Sequence, residues 1–572
     1  GYAYVKKFDY RLNPEHPPLA KALASLPLLF LDLSEDAFRT KFWLQDVNGQ
    51  WDFGRFLIFQ SDNPNLITRA VKFPILIFFI LSAILIYKWT KNLYGGFAAL
   101  TALILFSFSP TVLAHSRFVT TDIPALFGAL FAAYFFLQYL FSPTKKNLWL
   151  SGLTFGIAML TKFSAFLLVP YFLILSLIFG FIKKSEKTSK FYFLISTFLI
   201  FIIAFALIVW PVYYVFTFNY PAERQLSDTQ FHLSSFGNKK LAGIVEWMAD
   251  KPVIRALGQY GLGLLMVSQR SAGGNTAYFL GEVSNQGSRY YFPVVYALKE
   301  PLAWLILLVI ALSFLARQVE KSNIKYDPPG CPAGQQISKF IKNHFVEFAM
   351  LLWLAIYWAT SIKSNLNIGV RHLLPTYPFV IILVSGQIAR IIKITSIKHQ
   401  KTNKYQYPNF QKLEFKKLFG IWNLLFGILF TWYIYENIKV WPYYLTYFNQ
   451  LAGGPSNGYR YVVDSNLDWG QDLKRLAKWA EENKVEKIHL DYFGWSSPAY
   501  YLKEKFEWLT AGQYKNAREF IEKTGGGYLA VSGSFYMGSR EIHKLIDGSS
   551  YAWLDDFKPV AVIGHSIWVW KF

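Results

Sequence analysis

The sequence is poor in charged residues. Asp, Glu, Lys and Arg make up 16% of its 572 residues, against roughly 25% in soluble domains. Hydrophobic residues make up 53% and aromatic residues 19%. Aromatic side chains are enriched where a membrane meets water. The composition therefore argues against a soluble globular protein and indicates one whose main solvent is lipid.

Cysteine is nearly absent, and several soluble-enzyme motifs are missing. Cys331 is the single cysteine, which excludes an internal disulfide and leaves the redox compartment unassigned. The sequence has no paired CxxC zinc pattern, no P-loop and no GxSxG nucleophile motif. Nucleotide and hydrolase chemistries of the soluble type therefore have no support.

Acidic residues are fewer than basic ones, and the formal net charge is +22. The basic residues cluster between apolar runs. Such separate clusters do not form the continuous basic face that a nucleic-acid partner requires. They follow the first, third, fifth, seventh and ninth apolar segments, in the stretches 88–91, 145–146, 183–190, 316–345 and 393–417. By the positive-inside rule all five loops are cytoplasmic. The remaining loops are then expected on the outer face.

The apolar segments predict a polytopic α-helical membrane protein of about ten spans, since roughly 20 apolar residues cross a bilayer. The segments are 73–89, 96–113, 123–141, 148–160, 163–182, 191–216, 293–315, 345–360, 373–392 and 418–438.

Five regions follow from this pattern. Residues 1–70 form a first outer loop with interfacial helices, and 71–216 the first set of spans. Residues 217–292 form an outer loop with an interfacial helix at 241–266, and 293–439 the second set of spans. Residues 440–572 contain a helix at 473–483 and short buried strands at 487–493, 527–532 and 560–563. This alternation predicts a small extracytoplasmic α/β domain.

The pattern predicts a multi-pass protein of the cell membrane. Its unusual polar groups all fall on the predicted outer face. They are Glu15, His16, Arg117, Asp122, Lys162, Lys299, Glu300, Arg371 and His372. Cations gathered at such a boundary can hold a phosphate, and a carboxylate there can accept a proton.

Each of these groups also has a purely structural interpretation. Asp122 can cap the helix that follows it, Lys162 can extend to the membrane surface, and Arg371 can be an interfacial anchor. The segment 464–472, with Asp464, Asp468 and Asp472, has the composition of a metal loop but lacks the full EF-hand spacing, which favours turn and helix capping.

Residues 10–19, which include Glu15-His16-Pro17-Pro18, resemble the first outer-loop motif of GT-C type membrane glycosyltransferases. The most similar group is that of the protein O-mannosyltransferases and aminoarabinose transferases (glycosyltransferase family 39-like, phospholipid carrier-dependent). The resemblance continues in order through residues 114–122, 160–162, 278–301, 367–375 and 464–473. It covers nearly the whole chain.

The resemblance implies a GT-C fold and transfer of a sugar from a polyprenyl-phosphate donor to a protein, lipid or glycan acceptor, with inversion. The family's usual first-loop acid, the general base, lies upstream of Gly1, so the sequence is interpreted as a fragment. Asp122 is the acid that remains in the expected site. His16 takes the place of a positively charged group near the donor phosphate, and Glu15 is expected to orient His16 or to bind a divalent metal.

Four cations are expected to bind the donor phosphate in this family-based interpretation: Lys162, Arg371, Lys299 and Arg117. No cofactor is required, although a divalent metal stays open. The alternatives from other classes are a lipid-linked-sugar flippase or transporter and a non-catalytic membrane scaffold. A transporter would favour ionisable groups near the middle of the bilayer and paired broken helices, which this sequence does not show.

Overall fold

The computed structural model describes residues 1–183, 191–326, 341–404, 409–540 and 550–572. Cys331 lies outside the described residues, as do parts of three predicted basic loops, at 184–190, 327–340 and 405–408.

Long apolar helices dominate the architecture. Within the described residues, six helices are long and apolar enough to cross a membrane. Their bounds are Pro64–Tyr94, Asp122–Phe141, Phe163–Ile182, Tyr192–Phe216, Phe345–Lys363 and Val370–Ile394. Each coincides with a predicted apolar segment, and the chain is built as an integral membrane protein.

Two further predicted spans are bent helix pairs, which raise the count to eight if each pair is one span. Gly96–Ser107 and Pro110–Ser116 meet at 60°, and Tyr291–Lys299 and Leu302–Arg317 at 116°. A proline stands at each break. The residue before a proline disfavours helical geometry, so the preceding helix ends there. The predicted number of ten spans is not confirmed: the helix over 148–160 has only 15 residues, Lys145–Met159, and the tenth segment lies in the partly described helix Asn409–Val440.

Shorter helices fill the two long polar regions. The segment 241–266, predicted as one interfacial helix, is broken at residues 250–254 into two helices, because Pro252 cannot continue a helix. The helices of these regions are Tyr2–Lys7, Pro18–Ser25, Lys41–Leu44, Gln50–Phe59, Ala222–Leu233, Lys239–Ala249 and Arg255–Gly273. The span Pro64–Tyr94 consists of a short helix, Pro64–Ala70, and the long apolar helix Phe73–Tyr94.

The strands form two sheets. A hairpin pairs β1 (Ala277–Phe279) with β2 (Glu282–Ser284). The second sheet contains β3 (Ile488–Asp491), β4 (Phe506–Trp508), β5 (Tyr528–Ser532), β6 (Ala561–Ile563) and β7 (Ile567–Lys571), in the order β4-β3-β5-β7-β6. Strand β3 is parallel to β4 and β5, whereas β7 is antiparallel to β5 and β6.

Helices accompany this second sheet: Leu473–Glu482, Pro498–Leu502, Ala517–Thr524 and Gly533–Gly538. The strands predicted at 487–493, 527–532 and 560–563 are present as β3, β5 and β6. The predicted helix at 473–483 is present and buries Leu473, Leu476 and Ala480. Strands β4 and β7 were not predicted.

The segment that leads into this sheet is fastened to the membrane helices by buried hydrogen bonds. The Lys299 ammonium donates to the carbonyl oxygens of Leu445 and Asn466, both at 2.7 Å. The Asn466 side chain donates to the Tyr291 hydroxyl at 2.9 Å and accepts from the Val370 N–H at 2.9 Å. These bonds place residues 464–472 directly beside the helix that carries Arg371.

Candidate functional site

Three charged residues from distant parts of the chain meet in one buried cluster, the charged triad of Asp122, Lys162 and Arg371. Lys162 Nζ donates to Asp122 Oδ1 at 2.6 Å, and Arg371 Nη1 donates to Asp122 Oδ2 at 3.2 Å. The Asp122 side chain is fully buried, while those of Lys162 and Arg371 are 11% and 17% exposed. Two cations thus share one carboxylate, and the triad carries a surplus of positive charge.

Each member of the triad stands at a helix boundary, where the backbone turns and a side chain can point inward. Asp122 is the first residue of the helix Asp122–Phe141, where a carboxylate is favoured by the helix dipole. Lys162 is extended between two helices. Arg371 lies in the 3₁₀ turn Val370–Thr376, which follows Gly369. A Cβ at Gly369 would collide with Ser465 Oγ, so glycine permits the close approach of residue 465.

The segment 464–472 holds the arginine of the triad in place. Arg371 Nε donates to Ser465 Oγ at 3.0 Å, and the guanidinium lies 4.6 Å from the centre of the Trp469 ring. That ring packs edge-on against His115 and Phe118, at centroid distances of 5.5 and 5.2 Å. Trp469 therefore forms one wall of the triad.

Three histidines surround the triad. His115 Nδ1 and His372 Nε2 are buried without a hydrogen-bond partner among the described residues. His16 interacts electrostatically with all three triad residues. Burial, and then the positive charges of Lys21, Lys162 and Arg371, lower the pKa of His16 from 6.5 to about 3. His16 is thus neutral at neutral pH, whereas the resemblance implies a positively charged group at this place; the role of His16 beside a donor phosphate stays a prediction.

The first-loop corner is held by a residue that the sequence analysis did not single out. Lys21 Nζ donates to the carbonyl oxygens of Asn13 and His16, each at 2.8 Å, and to the Tyr4 hydroxyl at 3.0 Å. Burial holds the pKa of Lys21 well below its ordinary value. The sequence signal for this role was a lysine on the helix that follows Pro17 and Pro18. Its apolar neighbours make that helix look ordinary.

Glu15 contacts an arginine rather than the neighbouring histidine. Arg270 Nη1 donates to Glu15 Oε1 at 2.6 Å, and this arginine also interacts electrostatically with His372 and Asp464. Arg270 belongs to the helix Arg255–Gly273 and was not predicted. The expected orientation of His16 by Glu15 is therefore not what the structure gives.

Lys299 and Arg117 lie apart from the triad. The Lys299 ammonium is buried, donates to two carbonyl groups and lies 4.3 Å from the centre of the Phe448 ring, so it holds these segments together. Its neighbour Glu300 accepts hydrogen bonds from the hydroxyls of Thr111 and Tyr377 at 2.7 and 2.6 Å. Arg117 donates to the Pro442 carbonyl at 3.2 Å. Their role in binding a donor phosphate stays a prediction.

The acidic segment 464–472 is folded as turns. Asp468 Oδ1 accepts from the Gly470 N–H at 2.9 Å, and Asp472 Oδ2 accepts from the Ser566 hydroxyl at 2.7 Å. Burial raises the pKa of Asp464, Asp468 and Asp472 above the ordinary value. Within the described part of the chain, no three His, Cys, Asp or Glu side chains are grouped so that they could hold a metal ion.

One family of known proteins matches part of the chain. Residues 65–210 match the family described as dolichyl-phosphate-mannose-protein mannosyltransferase. This match confirms the predicted resemblance to GT-C type membrane glycosyltransferases of the protein O-mannosyltransferase group. It includes Asp122, Lys162 and Arg117, whereas Glu15, His16, Lys299 and Arg371 lie outside it. No curated protein sequence matches the chain.

Solved structures with similar backbones belong to membrane glycosyltransferases. The archaeal oligosaccharyltransferase AglB from Archaeoglobus fulgidus, in complex with an inhibitory peptide and a dolichol-phosphate, is 13% identical with a TM-score of 0.42; the match covers 86% of this chain and 62% of that one. The apo form of the Archaeoglobus fulgidus oligosaccharyltransferase is 11% identical with a TM-score of 0.44, covering 94% and 68%.

A third similar structure is that of ArnT from Cupriavidus metallidurans in the apo state. It is 11% identical with a TM-score of 0.23, and the match covers 99% of this chain and 95% of that one. The chain spans less than two thirds of the length of the first of these structures. With TM-scores below 0.5, these likenesses carry no argument about the site.

Proposed function

We propose that the protein is an integral membrane glycosyltransferase that moves a sugar from a polyprenyl-phosphate donor to an acceptor hydroxyl. The family match over residues 65–210 supports the class of reaction. The observation that carries the proposal for the site is the charged triad, in which Lys162 and Arg371 converge on Asp122.

The triad has donors to spare for a phosphate. A lysine ammonium has three N–H donors and a guanidinium has five, and Asp122 accepts one hydrogen bond from each cation. One carboxylate leaves one positive charge of the pair uncompensated. A donor phosphate that enters the triad would be held by charge-assisted hydrogen bonds, which are about twice as strong as neutral ones.

In the proposed reaction the acceptor oxygen attacks the anomeric carbon as the bond from that carbon to the phosphate oxygen breaks. The sugar is transferred with inversion, and the polyprenyl phosphate leaves with the bonding electrons. Lys162 and Arg371 stabilise the negative charge that develops on the leaving phosphate. A general base takes the proton of the acceptor hydroxyl as the new bond forms, and the resemblance implies a carboxylate of the first outer loop for this role.

Asp122 then acts as a positioning residue rather than as the acid or base of the reaction. Both of its oxygens accept hydrogen bonds from the triad cations, so each oxygen is engaged in holding a cation. Its negative charge allows two cations to stand side by side in a buried place, where unpaired charges are costly.

We further propose that the triad faces the outer side of the cell membrane, as do the first loop and the C-terminal sheet. The support for this orientation is the placement of the basic loops. The bilayer supplies the lipid-linked donor laterally, and no nucleic acid takes part.

The test is release of polyprenyl phosphate by the purified full-length protein from a panel of polyprenyl-phosphate sugars, with and without acceptor peptides, lipids or glycans. Arg371→Ala and Lys162→Ala are expected to abolish release while the protein still folds in membranes. Arg518→Ala is the matched control, because Arg518 is exposed in the C-terminal region and its ion pair among the described residues is with Glu522.

Wild-type rates in both triad variants would remove the proposed phosphate site. Translocation of the intact lipid-linked sugar without release would favour a flippase, and neither release nor translocation by the full-length protein would favour a scaffold.

A further inference from the structure

A second strongly basic site lies outside the triad. It is a cavity of about 750 Å³ between the start of the helix Phe73–Tyr94, the turn at Arg117 and the helices of the C-terminal region. We call it the basic cavity. Its cationic lining residues are Lys72, Arg117, Lys474, Arg475, Lys478, Lys503 and Lys505, and the one carboxylate among the described lining residues is Glu481.

Several of these charges have no acidic partner among the residues that the structure describes. Among the described ion pairs, Arg475 pairs with Asp472 and Lys478 with Glu482, whereas Lys72, Lys503 and Lys505 appear in none. The pKa of the Arg117 guanidinium is lowered, first by burial and then by the positive charge of Arg475. The cavity therefore concentrates positive charge that the described residues do not fully neutralise.

The position of Lys72 connects this charge to the membrane. Lys72 immediately precedes the apolar helix Phe73–Tyr94. Below it the helix presents exposed apolar side chains, with Phe73 67% and Ile80 52% exposed, and Leu76 and Ile77 belong to the same exposed set. An anionic lipid head in the cavity would thus lie next to the exposed apolar side chains that its hydrocarbon chains could contact.

The basic cavity is separate from the charged triad, although the two are neighbours. Phe118 lines the cavity and packs edge-on against Trp469. Arg371 lies over the Trp469 ring. These two rings stand between the sites, so a ligand in the cavity need not contact Lys162 or Arg371.

We propose that the basic cavity binds the phosphate head of an anionic membrane lipid, whose hydrocarbon chains lie along the exposed face of the helix Phe73–Tyr94. The ligand class follows from charge and from place. Lysine and arginine bind phosphate oxygens through charge-assisted hydrogen bonds, and basic pockets next to membrane helices bind anionic lipid heads. A lipid held here would fix the C-terminal helices Leu473–Glu482 and Pro498–Leu502 against the bilayer.

The test uses the detergent-purified chain and measures the affinity for phosphatidylglycerol and for phosphatidylcholine by native mass spectrometry. We expect specific binding of phosphatidylglycerol. The triple variant Lys72→Gln, Lys503→Gln and Lys505→Gln removes three exposed cations and should weaken it roughly a hundredfold, since each basic residue near an anionic lipid contributes about tenfold or somewhat less.

A matched triple variant, Lys515→Gln, Lys558→Gln and Lys571→Gln, changes the net charge equally at exposed positions outside the cavity. It should bind phosphatidylglycerol as the wild type does. Equal weakening in both triple variants would overturn the proposal, because non-specific charge would then explain the binding, and so would an unchanged affinity in the cavity variant. Thermal unfolding of both variants checks that they are folded.

A further arm separates the lipid from a soluble anion. Inorganic phosphate at a tenfold excess over the lipid should not displace phosphatidylglycerol, because it lacks the hydrocarbon chains. Displacement of the lipid by inorganic phosphate would overturn the assignment to a membrane lipid.

Discussion

The Nζ atom of Lys162 lies 2.6 Å from the Oδ1 atom of Asp122, across 40 residues of sequence. Arg371 approaches the other oxygen of the same carboxylate at 3.2 Å. Because one buried acid bridges two cations that come from different helix boundaries, the carboxylate fixes the geometry of both. The stability of the protein and its capacity for a phosphate should therefore respond differently to substitutions in the triad.

Loss of the central carboxylate should destabilise the folded protein. Asp122→Ala leaves Lys162 and Arg371 as two buried like charges without a partner, and breaking a buried ion pair in this way costs about 3–5 kcal/mol. The measurement is thermal unfolding in detergent micelles, followed by tryptophan fluorescence. We expect a clearly lower unfolding temperature than for the wild type.

Asp122→Asn is the control for this substitution. Asparagine keeps the size of the side chain and one acceptor oxygen, but it lacks the negative charge. The destabilisation of the Asp122→Asn protein relative to the wild type should therefore come mainly from the loss of that charge. An Asp122→Ala protein that unfolds at the wild-type temperature would show that the triad contributes no net stability.

The ring of Trp469 should matter for the position of Arg371. The guanidinium lies 4.6 Å from the ring centre, and such cation–π contacts contribute about 0.5–2 kcal/mol. Trp469→Leu should raise the donor KM by roughly two- to thirtyfold, since 1.4 kcal/mol corresponds to about a factor of ten. Trp469→Phe keeps an aromatic face and should have a smaller effect. Kinetics of polyprenyl phosphate release measure both, and equal donor KM values for wild type and Trp469→Leu would contradict the prediction.

Much of this architecture could be predicted from the sequence because hydrophobic length is a strong signal. The segment 123–141 and the helix Asp122–Phe141 agree to within one residue. The bends at Pro110 and Pro301 were harder to predict, because a single proline inside an apolar run leaves the hydropathy almost unchanged. The direction of the chain after such a bend is decided by packing, which the local sequence does not contain.

The members of the triad could be named from the sequence, but their partners could not. Asp122, Lys162 and Arg371 were singled out because charge is scarce near apolar segments. The roles of Lys21 and Arg270 were missed, since each lies within a helix whose sequence looks ordinary. Their contacts with His16 and Glu15 depend on how the first loop folds over a distant helix, and pairing across such distances has no local signature.

The C-terminal sheet should lose stability as the pH rises from about 4 to 6. Burial raises the pKa of Asp491 to about 6, although Tyr551 donates a hydrogen bond to its Oδ2 atom at 2.6 Å. The unfolded chain has the ordinary pKa of about 3.9. Between these values the folded state binds more protons than the unfolded state, so stability falls as the pH rises. The loss is complete above pH 6 and is on the order of 3 kcal/mol.

Asp491→Asn isolates this contribution, because asparagine still accepts from Tyr551 but carries no charge. The variant should be more stable than the wild type above pH 6, and the difference should vanish as the pH approaches 4. Unfolding temperatures of the full chain across pH 4 to 8 test this. A constant difference between the two proteins over that range would show that Asp491 does not titrate as described.

The docking of the first loop should depend on a glycine in the helix Arg255–Gly273. A Cβ at Gly263 would collide with the Pro14 carbonyl oxygen and with the Phe163 ring, so Gly263→Ala must push the corner that carries Glu15 and His16 away from the helix. Such overpacking costs about 1–3 kcal/mol.

Gly243→Ala is the matched control, because nothing lies within 4 Å of its Cβ and alanine in a helix interior should stabilise by up to about 1 kcal/mol. Limited proteolysis of the first loop, measured beside thermal unfolding, should show faster cleavage in Gly263→Ala alone, and equal cleavage rates in the two variants would mean that the loop is not held by this contact.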